Sequence, residues 1–268
     1  MSAGQPFSVS LSGGLDKSTN SLSLLQTPGI ATKLRNFEVS IEGGYRRING
    51  FTLLGAGSAA RPNSTNDVEG LEVYADGVIA VVGNNIYFSQ DGTSWMQINK
   101  ASVASGGDNF STFNGRSALS LSALDQCEFA IYEGISTYGE LIIVDKSGQN
   151  KPFLFKMTGT GALSGRTFFA SQITISGSKT AKHCTIHNNH LVVAGDPDSP
   201  NTLYYSGTAD IDSFSSTGSG SILVEDKIVG LKSFRNELFI FCQNSLFKLQ
   251  NINNSSTIAV VPVTKNVG

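Results

Sequence analysis

Four short apolar runs punctuate the chain: VIAVV at 78–82, LIIV at 141–144, LVVA at 191–194 and LFIF at 238–241. Each is followed closely by Gly, Asp or Asn. Each is also too short for a buried helix and carries apolar residues at both odd and even positions, which predicts a strand covered on both faces. Around them lie segments that alternate apolar and polar residues, the pattern of half-buried strands. Helical periodicity is scarcely visible.

Laid on itself, the chain repeats. VEGLEVYADGVIAVVGNNIYFS (68–89) aligns without a gap on IVGLKSFRNELFIFCQNSLFKL (228–249). The match pairs Gly70 with Gly230, Leu71 with Leu231, Tyr74 with Phe234, Asp76 with Asn236, Val78 with Leu238, Asn84 with Asn244 and Tyr87 with Phe247. A third copy, KHCTIHNNHLVVAG followed by NTLYYSGTADIDSF (182–214), is read with Ile186 at the Tyr74 position and Asn188 at the Asp76 position. A weaker fourth copy begins at YGELIIVD (138–145) and continues into KPFLFKM. The copies recur at roughly 48 to 63 residues, a spacing that suits a propeller blade. The expected fold is all-β, with stacked antiparallel β-propeller-like blades. About four blades fill 65–268, after an N-terminal strand and hairpin region at 1–64.

Each copy reads as strand, tight turn, apolar strand, turn at Asn, strand. Asp76-Gly77, Asn188-Asn189 and Asn236 are the expected turn residues, because Gly, Asn and Asp tolerate the backbone of a two-residue hairpin. The first copy ends in NNIYFSQDGTSW (84–95), where Ser89, Asp91, Gly92 and Trp95 resemble the Asp-box of sialidases and related propellers. A short Asp side chain can accept from the amides of its own turn, Gly accepts positive φ, and Trp95 can cap the hairpin's apolar edge. The motif is therefore read as a blade turn.

Composition narrows the picture further. The chain has 40% hydrophobic and 15% charged residues, 29 Gly and a formal net charge of −2. Low charge and abundant Gly fit many short strands and tight turns, and the balance provides no basic field to gather nucleic acid or an anionic membrane. Three widely spaced cysteines, Cys127, Cys184 and Cys242, fit neither a disulfide framework nor a zinc pattern. No apolar run reaches the ~18 residues of a membrane helix, and the N-terminus has no secretory pattern.

Upstream, LRNFEVSIEGGYRRINGFTLLG (34–55) predicts a hairpin turning at Glu42-Gly43-Gly44. The order GGLD, Pro-Gly with small residues, NFE, then IEGGYRRINGF resembles the N-terminus of tailed-bacteriophage tail nozzle proteins of the tail tubular protein B type. The blade at 228–249 and the closing VVPVTKNVG look similar to theirs. The resemblance implies a propeller subunit of a virion, made in the host cytoplasm and assembled as a ring, of six copies in that family, around the DNA exit channel. Its partners would be copies of itself, portal or adaptor proteins, and tail fibres or spikes, with DNA passing without sequence-specific binding. Such proteins are usually longer, so the expectation is either an incomplete propeller or a shorter relative. Arg46 and Arg47, inside GGYRRING, are the subunit-interface candidates.

Other chemistry is weighed against plainer roles. His183, Cys184, His187 and His190 crowd together, but the repeat places the histidines at hairpin positions and not at a converging metal site. GTGALSG (159–165) has no following helix and no GK[ST], so it is not read as a nucleotide loop. Asp196, Asp198, Asp210 and Asp212 lack EF-hand spacing for calcium. A glycosidase needs a positioned carboxylate pair and a sialidase an arginine cluster, whereas Arg35, Arg46, Arg47, Arg61, Arg116, Arg166 and Arg235 are scattered. The expectation is a non-enzymatic protein without catalytic residues, cofactor or metal. The alternative is a glycan-binding or glycan-cleaving, sialidase-like propeller.

Overall fold

The computed structural model of the chain describes residues 66–265 apart from 102–105 and 135, together with residue 62 and short strands at 37–39 and 45–47. The chain divides into two units, Met1–Leu53 and Leu54–Gly268. In the first, β1 (Phe37–Val39) pairs antiparallel with β2 (Tyr45–Arg47), with Glu38 opposite Arg46 and Phe37 opposite Arg47. The interface candidacy of Arg46 and Arg47 concerns side chains outside the described residues, as does the predicted turn at Glu42-Gly43-Gly44.

The second unit is all-β: four antiparallel sheets stacked as blades. Blade 1 is β3 (Val68–Tyr74), β4 (Gly77–Val82), β5 (Asn85–Ser89) and β6 (Met96–Gln97). The connection then runs through β7 (Asp108–Asn109) and a short helix α1 (Phe110–Gly115), capped where Asn109 Oδ1 accepts from the Thr112 amide at 3.0 Å. Blade 2 is β8 (Glu128–Tyr132), β9 (Glu140–Val144), β10 (Phe153–Thr158) and β11 (Thr167–Gln172), with β7 added to its outer edge beside β11. Blade 3 is β12 (His183–His187), β13 (His190–Asp196), β14 (Ser199–Tyr205) and β15 (Gly220–Leu223). Blade 4 is β16 (Ile228–Phe234), β17 (Glu237–Cys242), β18 (Ser245–Gln250) and β19 (Ala259–Lys265). The first strands of blades 2 to 4 run side by side, β12 lying against both β8 and β16.

Three apolar layers hold the stack. Between blades 1 and 2, Tyr74, Ile79, Val81, Ile86 and Phe88 meet Leu141, Ile143 and Phe155. Phe155 lies at the centre, with ring centroids 5.8 Å from Tyr74, 6.5 Å from Phe88 and 6.3 Å from Phe113 of α1. Blades 2 and 3 share Ile142, Val144, Leu191 and Val193. Blades 3 and 4 share Val192, Ala194, Leu203, Leu238 and Ile240. Each fully buried aliphatic or aromatic side chain removes apolar surface worth about 1.5–3 kcal/mol.

The apolar runs become second strands, as their pattern predicts. Those of blades 1 to 3 are buried on both faces, but in β17 Leu238 and Ile240 are buried while Phe239 is half-buried and Phe241 exposed. The parity that faces away from blade 3 is open.

Two turn readings are corrected. The first hairpin of blade 1 turns on Ala75 and Asp76, with Tyr74 opposite Gly77, so Gly77 is the first residue of β4. Gly77 is needed for space: a Cβ there would stand 2.3 Å from the Ser89 carbonyl oxygen and 2.6 Å from the Phe88 ring. In blade 3, Asn188 (φ 48°) and Asn189 (φ 63°) do form the turn, and Arg235 (φ 49°) with Asn236 (φ 62°) form that of blade 4. His187 lies opposite His190 as Phe234 lies opposite Glu237. The residue at the Tyr74 position is therefore His187, not Ile186, and Asn189, not Asn188, matches Asp76. A one-residue slip in a strand exchanges its faces.

Candidate functional site

The NNIYFSQDGTSW turn is a closed hydrogen-bond unit. Asp91 Oδ1 accepts from the Thr93 and Ser94 amides at 2.8 and 2.7 Å and from Ser89 Oγ at 3.2 Å. Ser89 Oγ in turn accepts from the Gly92 amide at 2.8 Å, and Gly92 has φ 71°. The Ser94 and Thr93 amides hold the Asp91 carboxyl far below the usual carboxylate range. Trp95 is half-buried at the entry to β6. In blade 3, Ser206 occupies the Ser89 position: it is buried, accepts from the Leu191 amide at 2.9 Å and donates to the Gly207 carbonyl at 3.0 Å. A carboxylate whose oxygen already serves two turn amides is a structural acceptor and not a general acid.

Among the described residues, the polar contact that reaches furthest along the sequence joins blades 1 and 2. Asp76, on the turn that opens β4, takes a two-pronged contact from Arg166: Nη1 donates to Oδ1 at 2.7 Å and Nη2 to Oδ2. Arg166 Nε donates to the Gly161 carbonyl at 2.9 Å, and the guanidinium lies 5.3 Å from the Tyr138 ring. Asp76 Oδ2 also accepts from Gln90 Nε2 at 2.9 Å. The Arg166 side chain is 0% exposed and that of Asp76 41%. Hydrogen bonding from Arg166 pulls the Asp76 carboxyl below its ordinary value and raises Arg166 further. The GTGALSG loop thus supplies a carbonyl to a buried arginine. Above it, the Tyr74 hydroxyl donates to the Gly139 carbonyl at 2.8 Å.

The three histidines of β12 and β13 work in separate networks. His183 Nδ1 lies 3.0 Å from Glu128 Oε1 on the neighbouring inner strand, and Lys146 Nζ lies 3.6 Å from the same oxygen. His187 Nδ1 lies 3.0 Å from Ser233 Oγ of blade 4. His190 sits between the Ser206 carbonyl at 2.6 Å and Asn253 Oδ1 at 2.7 Å, edge-on to Tyr205. Among the described residues, no group of three or more His, Cys, Asp or Glu is arranged to hold a metal ion. Burial pushes the Cys127 thiol up to about 12 and Cys242 up to about 11, and raises Cys184 as well, so none is an activated nucleophile.

The acidic loops are also occupied. Asp196 is buried and accepts from the Thr180 amide at 2.9 Å, the Asp198 amide at 3.1 Å and Lys179 Nζ at 3.2 Å. Asp212 is raised by burial, by its hydrogen bond with Asp210 and by the charge of Glu140, which pairs with Lys156 at 2.8 Å. Asp196 and the Asp210–Asp212 pair belong to different networks. A shallow groove of about 450 Å³ runs along the inner strands β8, β12 and β16, lined by Phe129, Ile131, Thr185, Ile186, Gly230 and Lys232 among others. The one carboxylate in its lining, Glu128, is the partner of His183 and Lys146. What the arrangement does chemically is fasten sheet to sheet.

Sequence reading foresaw the Asp91 turn and the Asn turns and missed Arg166. A charged turn residue at Asp76, where blade 4 has neutral Asn236, is the one signal that pointed to a charged contact there.

No family model and no curated protein sequence matches the chain. Solved structures do. A chain in the cryo-EM structure of RAG in complex with one melted and one unmelted RSS aligns at 9% identity and TM-score 0.50, over 80% of this chain and 71% of that one. Apo AztD from Citrobacter koseri aligns at 7% identity and TM-score 0.40, over 75% and 60%. The AfRom2 CNH domain aligns at 9% identity and TM-score 0.27, over 76% and 86%. The first likeness bears on fold alone.

Proposed function

We propose that this chain is a non-enzymatic structural component of a bacteriophage virion: a subunit of a tail nozzle or neck ring that lines the DNA exit channel. Its partners in this reading are copies of itself, the portal or adaptor proteins, and tail fibres or spikes. The observation that carries the reading is the N-terminal GGYRRING segment, whose order of motifs resembles the nozzle proteins, followed by blades. The junction chemistry supports it: the conspicuous polar side chains Asp76, Arg166, Asp91, His190 and Asp196 are all consumed in fastening sheets and turns. Such a part works through its shape. A wall of stacked sheets with a net charge of −2 gives DNA no strong basic surface to adhere to.

Immunogold labelling of purified particles with antibody to this chain tests the proposal. Gold at one vertex or along the tail is expected. Gold confined to debris, together with turnover of a fluorogenic glycan panel, would replace the reading with a glycan-cleaving propeller.

A further inference from the structure

Every junction between blades is built to one pattern. The inner strand of the following blade turns two side chains, two residues apart, toward the blade before it. Phe129 and Ile131 of β8 pack into the layer shared with blade 1, and Cys184 and Ile186 of β12 into the layer shared with blade 2. In β16, Leu231 packs toward blade 3 from the same place. Registers put Leu71 and Val73 of β3 at these positions, because Val73 lies opposite Val78 as Ile131 lies opposite Leu141 and Ile186 opposite Leu191. Yet Leu71 is 65% and Val73 67% exposed.

The receiving side has a pattern too. In blade 1 it consists of Tyr74, Ile79, Val81 and Ile86, all buried against blade 2, and of a notch at Gly70, where a Cβ would stand 2.8 Å from the Phe129 ring. The ungapped repeat gives the same positions in blade 4 as Phe234, Phe239, Phe241, Leu246 and Gly230. Here Phe234 is 56% and Phe241 44% exposed, and a Cβ on Gly230 would meet only Phe241 of its own sheet. The notch is present without its filler.

Among the described residues both halves of a blade junction are therefore present, and their exposure shows that the two do not meet each other there. We propose that a second copy of this chain makes the junction. Leu71 and Val73 of one copy seat over Gly230 and Phe241 of the next, as Phe129 seats over Gly70 and Ile131 packs into the same layer inside the molecule. The repeat supplies the complementarity: the occupant that fits a next-blade face is a preceding-blade inner strand, and this chain has one free. Ala80 and Val82 of β4 are already covered, so the contact is confined to β3. The proposal stands whether or not the virion reading does.

The test mixes two differently tagged preparations of the full chain, one Leu71→Cys and one Gly230→Cys, under copper phenanthroline oxidation. The unsubstituted chain, with its three free cysteines, serves as blank. A heterologous cross-link between tags is expected. Light scattering of the parent chain at tens of micromolar should show association, which Phe241→Glu weakens about tenfold or more. Leu71→Glu, on the other face, should weaken it similarly, and thermal melts establish that each variant is folded. A parent chain that stays monomeric overturns the proposal. So does cross-linking within a single Leu71→Cys/Gly230→Cys chain, which would mean closure on itself, or association that neither glutamate changes.

Discussion

At Asp76 and Arg166 the two ends of one ion pair are unequally placed, and the inequality predicts unequal mutants. Asp76→Ala leaves a buried guanidinium without its anion, and because the Asp76 side is partly open to solvent the loss is about 1–3 kcal/mol. Arg166→Met leaves a carboxylate that is 41% exposed and can rehydrate, so its cost is smaller. Chemical denaturation of the two variants should rank them in that order. The folded value of Asp76 is depressed, so its contribution is present above the unfolded value near 3.9 and is lost as pH falls from there through the folded value. The gap between the parent and Asp76→Asn should therefore close in acid. His187 acts in a higher window. Burial, then the charge of His190, hold it below the ordinary imidazole value, so below about pH 6.5 the unfolded chain takes a proton that the folded chain refuses. Stability should decline as pH falls from 7 to 5, and His187→Gln should flatten that decline. At this scale sequence could show only residue types. Asp91 was legible because its donors lie within three residues, whereas the pairing of Asp76 with Arg166 spans two blades and leaves only the charged turn residue as a local trace.

Strands carried most of the legible information. The runs at 78–82, 141–144, 191–194 and 238–241 became second strands, and those of blades 1 to 3 are covered on both faces as their pattern requires. What stayed hidden was register. Propensity placed Gly77 in the turn, but packing placed it in β4, under Phe88 and the Ser89 carbonyl. Gly77→Ala should therefore cost about 1–3 kcal/mol through overpacking, with the backbone oxygen as the immovable neighbour. In blade 3 the slip between Ile186 and His187 arose because HCTIHNNH offers three histidines and no Tyr or Phe to mark the Tyr74 position. Phe88, buried beside Phe155, tests the layer itself: Phe88→Ala should lower stability by about 3–5 kcal/mol in urea unfolding, with little change at the blade 3–4 junction.

For the molecule as a whole, the repeat announced the stack, and its first and last described blades carry the exposed apolar residues Leu71, Val73, Phe234 and Phe241. The proposed function rests on the GGYRRING resemblance, and the polar contacts described in the blades are those of fastening. If the chain lines a DNA channel, its weak charge is part of the mechanism. Particles carrying several added surface lysines on the inner strands should then eject DNA more slowly at low salt, with the difference fading as salt rises. The central claim is that this protein is a built part of a virion, and quantitative peptide mass spectrometry of density-purified, DNA-filled particles tests it most directly. The account predicts this chain at a fixed copy number relative to the portal, unchanged by a high-salt wash. Its absence from clean particles, or its loss in the wash, would contradict the account.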